Sequence, residues 1–324
     1  MRTLCGWGKA AATGGGLLHA ACRYGRPIER LLPGDSLMAP AKSKTPYLLI
    51  APITGFLIFL VALPLCIDIV YSLSKVTFET LRSPSLQGFG NFVTVLQDGA
   101  FWRAMGFSLK FAVAASIAQI LLGLFLAIFL SPLLAKRPWL MAALMLPMML
   151  APALVGLMYR LVLQEFVGVI PYYFLLFTGD SPAFLSPDNA FATLVTIEVL
   201  QWTPFALLIL YSAYQSIPLE IREAAAIDGA GYFRRLRWID LPYMAPAIAI
   251  TFFFRFIDSF RVFDNVYVLT GSGSGGSTTT ISIYIYEAFF RGSNIGVAVA
   301  ASLILLVMSY VVVAGLMTLA ERRA

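Results

Sequence analysis

Six long apolar runs restrict the fold of this chain more than any other feature. They lie at about residues 47–72, 105–131, 138–163, 190–214, 244–266 and 295–319. A helix needs about 20 mostly apolar residues to cross a bilayer, and each run reaches that length. Of the 324 residues, 59% are hydrophobic and only 12% are charged, far from the balance of soluble domains. None of the runs has the alternation of a barrel strand, so the sequence predicts an all-α, polytopic membrane protein built as a six-helix transmembrane bundle.

The first 44 residues differ from the rest of the chain. They contain two of the three cysteines and the single histidine, His19, without a helical apolar pattern. Met38 precedes a short basic segment that leads into the first apolar run. We therefore predict a membrane domain over residues 45–320 and an N-terminal tail over residues 1–44, which is either disordered or the product of a start site placed too early, with Met38 as the alternative start.

The basic residues of the loops predict the orientation, because Lys and Arg accumulate on the cytoplasmic side of a membrane. With six spans, both termini lie on one side. That side carries ten basic loop residues, namely Lys42, Lys44, Lys136, Arg137, Arg222, Arg234, Arg235, Arg237, Arg322 and Arg323. The other side carries four, Lys75, Arg82, Arg103 and Arg291. Both termini and the loop over residues 215–243 are therefore predicted to be cytoplasmic.

The sequence offers no catalytic site. With His19 as its one histidine, the chain has no paired histidines for a metalloprotease and no histidine-based triad in the membrane domain. The glycine-rich segment 271–276 resembles a phosphate-binding loop in spacing, but Ser277 stands where the phosphate-binding lysine is required. The three cysteines lack metal-site spacing. We predict no enzyme activity, no cofactor and no metal.

The cytoplasmic loop 215–243 is the main polar interruption of the apolar chain. Pro218 is suited to the first turn of a helix, and Gly229 is suited to end it in a left-handed conformation. We predict one helix over residues 218–228 and a second helical piece over residues 231–239, before Pro242 opens the next span. The arginines of the second piece are expected only to keep the loop inside. From the residues themselves, an ordinary cytoplasmic loop explains this segment equally well.

A specific motif lies in this loop. Residues 223–242 read EAAAIDGAGYFRRLRWIDLP, which is similar to the signature loop of the permeases of ABC importers. The flanking segments FRFIDSFRVFDNVYVLT, residues 254–270, and TTTISIYIYEAFF, residues 278–290, resemble the carbohydrate-uptake subfamily, including permeases for glycerol 3-phosphate, α-glucosides, trehalose and polyols. The resemblance covers about residues 45–320.

The resemblance implies a type I ABC importer permease in the bacterial cytoplasmic membrane. Its implied partners are a second, similar permease, two copies of a cytoplasmic ATPase that hydrolyse the ATP, and a periplasmic or lipid-anchored solute-binding protein. The implied substrate is a sugar, an oligosaccharide, a polyol or a solute like glycerol 3-phosphate. The loop helix would be the coupling helix that contacts the ATPase. The residues that this role implies are Glu223, Ala224, Ala225, Asp228, Gly229 and Ala230.

Charged residues recur every three positions in the fifth apolar run. They are Arg255, Asp258, Arg261 and Asp264, which would lie along one face of a helix and could pair with one another. Charges inside a membrane usually face a cavity or another helix, so this ladder either lines the substrate path or packs against the partner permease. The residues we select for the path are Asp258, Arg261, Asp264, Asn265, Trp202 and Tyr284. The aromatic members are also explained as residues of the membrane interface.

A rival class uses the same polar residues differently. A secondary transporter could take up protons or sodium ions at Glu198, Asp258 and Asp264. Such transporters often contain internal repeats, and the sequence shows no convincing repeat between residues 45–165 and 190–320. Gln119 in the second run is expected to form a hydrogen bond between helices.

Overall fold

The computed structural model describes residues 45–273 and 276–321. Within them, five helices are long and apolar enough to cross a membrane: Ile50–Ser72, Gly99–Phe129, Pro187–Gln215, Tyr232–Phe260 and Ile295–Gly315. A sixth candidate is a bent pair of shorter helices, Trp139–Met149 and Pro152–Val162. The all-α membrane fold predicted from the apolar runs is confirmed. The predicted tail, residues 1–44, and the alternative start at Met38 lie outside the described residues.

The elements follow the chain in a simple order. The first are α1 (Thr45–Ser72), β1 (Ser74–Lys75), β2 (Ser85–Leu86), α2 (Gly90–Gln97), α3 (Gly99–Phe129), α4 (Ser131–Lys136), α5 (Trp139–Met149) and α6 (Pro152–Val162). Then come α7 (Val169–Thr178), α8 (Pro187–Gln215), α9 (Leu219–Ile227), α10 (Tyr232–Arg235), α11 (Leu241–Phe260), α12 (Asp264–Thr270), α13 (Ile281–Tyr286) and α14 (Ile295–Glu321). Strands β1 and β2 form a small antiparallel hairpin. Residues from Ala62 onward form one compact unit, to which the packing described below belongs.

The helices α3 and α8 cross at very short range. A Cβ atom on Gly123 of α3 would lie 2.9 Å from the Cβ atom of Ala206 and 3.1 Å from the backbone nitrogen of Leu207 in α8. Small residues at membrane helix crossings permit such close packing. The apolar cluster around this crossing also includes Leu210 of α8 and Met244 of α11. These three helices therefore form the centre to which the functional segments are attached.

The third apolar run, predicted as one span over residues 138–163, is not one straight helix. It is broken after Met149, and α5 and α6 are bent by 83°. Pro152 explains the break, because a proline forces the residue before it into an extended conformation. Ala151 has that conformation, with ψ of 133°. The run predicted as the third span therefore contains a sharp bend at residues 150–151, and its two helices together are the sixth candidate.

The fifth span begins earlier and ends earlier than the predicted range of residues 244–266. Helix α10 continues through a π-helical turn, Leu236–Asp240, directly into α11. In the wide turn the N–H of Leu241 donates to the carbonyl of Leu236, five residues earlier. Pro242 has no N–H and its ring would clash with a carbonyl four residues earlier in a regular helix, so the wider turn relieves this conflict. The predicted separate helical piece, residues 231–239, is therefore the first part of one continuous helix, Tyr232–Phe260.

Candidate functional site

The helix α9 carries most of the residues predicted for coupling. It begins after Pro218 and ends where Gly229 adopts a left-handed conformation, with φ of +73°. The N–H of Ala230 donates to the carbonyl of Ala225, and the N–H of Gly229 donates to that of Ala226. This pair of bonds is a Schellman motif, which satisfies carbonyl groups at a helix end. The predicted helix and its glycine stop are confirmed within one residue at each end.

One face of α9 is open. Glu223, Ala224, Ile227 and Asp228 are exposed, and Ile227 is exposed to 87%. Residues three and four positions apart share a helix face, so the carboxylate of Glu223 and the side chain of Ile227 are neighbours. We call this surface, defined by these four residues, the α9 face. The α9 face thus presents one large exposed apolar side chain next to a carboxylate.

The two alanines of the motif do not lie on the same side of the helix. Ala224 belongs to the exposed α9 face, whereas Ala225 is buried to 6% exposure. Ala225 therefore packs α9 against its own chain, and Ala224 leaves the outer surface flat. The motif therefore uses one small residue for packing inside the chain and one for a flat outer surface.

The helix α9 is anchored to the bundle on both sides. Ile217, just before it, and Leu236, after it, pack in the apolar cluster formed by α3, α8 and α11. Two arginines add ionic contacts to the carboxylate of Asp240, which is 1% exposed. Arg222 Nε lies 3.4 Å from Asp240 Oδ1, and Arg235 Nε lies 3.5 Å from Asp240 Oδ2. We call these three residues the Asp240 clamp.

The clamp corrects the expectation that the arginines of the loop serve only orientation. Arg235 approaches a buried carboxylate and lies 5.6 Å from the ring centre of Tyr232. Arg222 lies 4.1 Å from the ring centre of Tyr214 and donates to its carbonyl at 2.9 Å. Arg234 and Arg237 are exposed, as the orientation argument requires.

A second polar site lies inside the bundle, around Arg255 of α11. Its guanidinium donates to Glu198 Oε1 at 3.0 Å and to Asp258 Oδ2 at 2.7 Å. Its Nε donates to Gln119 Oε1 of α3 at 2.7 Å. The Trp202 ring centre lies 4.6 Å from the guanidinium carbon, a cation–π distance. The helices α3, α8 and α11 are thus joined by one cation.

Two amides complete this network. Asn265 Nδ2 donates to Glu198 Oε2 at 3.1 Å and to Gln201 Oε1 at 2.9 Å. Gln201 Nε2 in turn donates to the carbonyl of Leu150, at the break between α5 and α6, at 3.2 Å. Because buried polar groups are costly without partners, Gln201 stabilises a carbonyl that the broken helix leaves free. The network therefore links the bend of the third span to the fifth.

The network borders a cavity of about 290 Å³. Five of the six residues predicted for the substrate path line it, namely Trp202, Asp258, Arg261, Asp264 and Asn265, together with Pro152, Glu198, Val262 and Phe263. The side chain of Asp258 is 51% exposed, although it also bonds to the buried Arg255. The structure thus brings five of the predicted path residues together, although they do not lie on one regular helix.

The predicted charge ladder is wrong as a helical arrangement. Helix α11 ends at Phe260, and Arg261 and Asp264 lie outside it, Asp264 at the start of α12. Only the first step of the ladder forms as expected, since Arg255 and Asp258 pair three residues apart within the described residues. The chain turns at residues 261–263, so Arg261 reaches the cavity from the turn and Asp264 from the first residue of α12.

Tyr284, the sixth residue predicted for the path, lies elsewhere. Its hydroxyl donates to Asp98 Oδ2 at 2.7 Å, and its ring packs edge-on against Phe101. Asp98 also caps α3 by accepting from the N–H of Ala100. Burial, followed by the bond to the Asp98 carboxylate, raises the pKa of Tyr284 well above its usual value, so this hydroxyl stays protonated. Tyr284 thus holds α13 against the start of α3.

Sequence reasoning predicted some members of these sites and missed others. Gln119 was expected to join helices, and it donates to the backbone carbonyl of Glu198 at 3.2 Å, as expected. Gln201 and Asp240 were missed. The one sequence feature that could have indicated the clamp was Asp240, an acidic residue two positions before Pro242 at the start of an apolar run. No group of His, Cys, Asp and Glu in the described part of the chain is arranged to hold a metal ion.

Comparison with known proteins gives consistent results. The family model for the binding-protein-dependent transport system inner membrane component matches residues 119–324. The trehalose/maltose transport system permease protein MalF of Thermococcus litoralis is 32% identical over 276 residues, 84% of this chain and 92% of that protein. The sn-glycerol-3-phosphate transport system permease protein UgpA of Escherichia coli is 29% identical over 265 residues, 81% of this chain and 88% of that protein.

A solved structure shares the fold. It is that of a bacterial ABC transporter involved in the import of the acidic polysaccharide alginate, with a TM-score of 0.73 and 23% sequence identity. The similarity covers 86% of this chain and 96% of the matched chain. A bacterial alginate ABC transporter in complex with a periplasmic protein that binds an alginate pentasaccharide matches with the same TM-score, 0.73, and the same identity, 23%.

Proposed function

Because this chain belongs to the family of binding-protein-dependent transport system inner membrane components, we propose that it is the permease subunit of an ATP-driven carbohydrate importer. The chain is a multi-pass membrane protein of that family. The trehalose/maltose and glycerol-3-phosphate permeases to which it is similar support a sugar or a polyol as substrate. Its location is the inner membrane of a bacterial cell, with both termini in the cytoplasm.

The α9 face is the observation that carries this proposal. It presents the carboxylate of Glu223 beside the 87% exposed side chain of Ile227, on a helix whose ends are anchored in the bundle. A separate cytoplasmic ATPase binds this face, and α9 is the coupling helix. Glu223 pairs with an arginine of the ATPase, Ile227 enters an apolar groove, and Ala224 lets the two backbones approach. Asp228, Gly229 and Ala230 fix the end of the helix at this contact.

The assembly contains three further kinds of subunit. A second, similar permease completes the membrane pore, two copies of the ATPase hydrolyse ATP, and a periplasmic or lipid-anchored binding protein delivers the substrate. The solved complex of an alginate transporter with a periplasmic protein supports this arrangement, because this chain shares the fold of that transporter's matched chain. In this division of work the chain itself needs no catalytic residue.

The cavity at Trp202 is the part of the substrate path that this subunit supplies. Asp258 and Asp264 accept hydrogen bonds from sugar hydroxyls, Arg261 donates to them, and the indole of Trp202 offers an apolar edge for the ring carbons. Around the cavity, Glu198, Asp258 and Asp264 contribute carboxylates, while Arg255 and Arg261 contribute guanidinium groups. One negative charge remains in excess, which favours a neutral sugar or polyol over an anionic one.

A proton-coupled or sodium-coupled transporter is the alternative, and the geometry at Glu198 disfavours it. Both oxygens of this carboxylate already accept hydrogen bonds, Oε1 from Arg255 and Oε2 from Asn265. An ion-binding carboxylate must exchange its partners during transport, whereas this one holds three helices together.

Purification of the tagged chain from its native membrane tests the proposal. We expect the chain to be recovered with a second permease and an ATPase, and the complex to hydrolyse ATP. The Glu223→Arg variant should leave the chain in the membrane with the second permease and lose the ATPase. Recovery of the wild-type chain as an ATPase-free protein that takes up sugar would overturn the proposal.

A further inference from the structure

The Asp240 clamp connects two parts of the chain that the proposed mechanism has to couple. Arg222 lies on α9, whose outer face we assign to the ATPase. Asp240 lies in the π-helical turn at the base of the continuous helix Tyr232–Phe260. The same helix carries Arg255, 15 residues beyond Asp240, which corresponds to about 22 Å of helix. One ionic contact therefore joins the coupling helix to the helix that borders the cavity.

We propose that Asp240, held by Arg222 and Arg235, is the positioning residue that transmits the movement of α9 to the fifth span. This inference rests on the proposed function, because it assumes that an ATPase moves α9. The Asp240 carboxylate is 1% exposed and lies between two guanidinium groups at 3.4 and 3.5 Å. A buried ion pair is costly to open, so a displacement of Arg222 carries Asp240 with it.

Other contacts at the base of α9 are less suited to this task. Ile217 and Leu236 pack in an apolar cluster, and apolar contacts are not directional, so they allow the surfaces to slide. The hydrogen bond of Arg222 to the carbonyl of Tyr214 and its contact with the Tyr214 ring fix the guanidinium relative to the end of α8. The Arg222 guanidinium is thus fixed at the end of α8, and both arginines contact the Asp240 carboxylate through charge, without a hydrogen bond between their Nε atoms and its oxygens.

The position of Asp240 in a π-helical turn adds to the argument. A π-turn is a wide element that frequently occurs at functional sites. The wide turn holds one residue more than a regular helical turn, so it rotates the residues on its N-terminal side about the helix axis relative to those that follow. In a regular helix, the side chain of Asp240 would therefore point in a different direction from the two arginines. The turn therefore aims Asp240 at both arginines, and a change in the turn would alter the clamp and the direction of the span together.

The accessibility of the cavity to a water-soluble reagent measures whether the movement of α9 reaches the fifth span. Val262 lines the cavity, so a Val262→Cys variant, made after Cys5, Cys22 and Cys66 are replaced by Ser, can be labelled with a water-soluble maleimide. The rate is measured in the complete purified complex, with and without MgATP and vanadate. With an intact clamp we expect the rate to change by about fivefold or more, the size typical of coupling through a contact network.

Three substitutions in this background separate transmission from folding. Asp240→Asn should abolish the change in labelling rate while the ATPase stays bound and active. Asp240→Glu, which keeps the charge, should restore part of it. Arg237→Gln, a control that removes an exposed arginine of the same turn, should leave the change intact. If Asp240→Asn prevents assembly, Arg235→Gln replaces it, with an intermediate loss expected.

The outcomes distinguish the two proposals. A full ATP-dependent change in an assembled Asp240→Asn or Arg235→Gln complex would overturn the role of the clamp and leave the importer function standing. An unchanged labelling rate with the intact clamp would instead count against ATP-driven access to the cavity, and so against the proposed function.

Discussion

Arg255 and Glu198 form a 3.0 Å ion pair in the interior of the helix bundle, and each residue is 2% exposed. Glu198 lies near the middle of α8, at the depth where a membrane is least tolerant of charge. Every other polar partner of the network is bonded to one of these two residues or to an amide that contacts them. The pair is therefore the centre of the polar interior, and its two members should depend on each other.

This dependence predicts non-additive substitutions. Arg255→Gln leaves Glu198 as a buried charge without a cation, so the free energy of unfolding should fall by about 3–5 kcal/mol. The double variant Glu198→Gln/Arg255→Gln removes both charges and should be less destabilised than the sum of the two single variants. Thermal unfolding of the detergent-purified protein measures this. Additive shifts would mean that the two residues do not stabilise each other.

The α9 face predicts an effect on assembly without an effect on folding. Glu223→Arg should reach the membrane at the normal level, abolish uptake and lose the ATPase, because reversing a partly buried charge pair costs about 2–5 kcal/mol of binding energy. The control Glu165→Arg makes the same change at an exposed acidic residue outside the α9 face and should keep the ATPase. Equal loss in both variants would indicate a general effect of charge.

The position of the cavity predicts that substitutions of Asp264 and Tyr284 have different effects on the apparent affinity for substrate. Asp264→Asn removes a lining charge and should weaken the apparent affinity for a transported sugar about tenfold, as expected for one charge-assisted hydrogen bond. Tyr284→Phe should leave that affinity unchanged and lower stability by about 0.5–1.5 kcal/mol, since Asp98 loses a part-buried hydrogen bond. Uptake kinetics of both variants make the comparison. A larger affinity loss in Tyr284→Phe would contradict the placement of the path.

The crossing of α3 and α8 predicts a sharp sensitivity at one glycine. Gly123→Ala places a methyl group 2.9 Å from the Cβ atom of Ala206, and overpacking of this kind costs about 1–3 kcal/mol. Gly106→Ala in the same helix has no atom within 4 Å of the new Cβ atom and should be neutral or slightly stabilising. Thermal unfolding of both variants measures the difference. A stable Gly123→Ala protein would show that the helices can separate at no cost.

The sequence was sufficient for the approximate place of the five long apolar helices and of the bent pair that is the sixth candidate, because the length of an apolar run is a local property. It also identified α9, since Pro218 and Gly229 restrict the backbone by their own chemistry. The break at residues 150–151 was missed although Pro147 and Pro152 were both visible. Prolines are common in membrane helices, and the bond from Gln201 to the Leu150 carbonyl, which accompanies the full break, joins residues 51 positions apart.

The polar interior depends on contacts that no local pattern contains. Gln119 and Arg255 are 136 residues apart in the chain and are joined at 2.7 Å. The spacing of Arg255, Asp258, Arg261 and Asp264 suggested one helix face, but the helix ends at Phe260. Five of the six residues selected for the path therefore line one cavity, but not through the single helix face that their spacing suggested. The Asp240 clamp was not predicted from the sequence, because the cytoplasmic orientation of the loop already explained its two arginines.

The central claim is that ATP hydrolysed by a partner drives this permease through α9. Proteoliposomes that contain the complete complex, with its binding protein outside and MgATP inside, test it through uptake of the labelled sugar or polyol that the binding protein retains in a ligand screen. We predict accumulation that requires ATP, is blocked by vanadate, is unaffected by proton and sodium ionophores, and is lost in Glu223→Arg. Uptake that continues without ATP and collapses with an ion gradient would contradict this account.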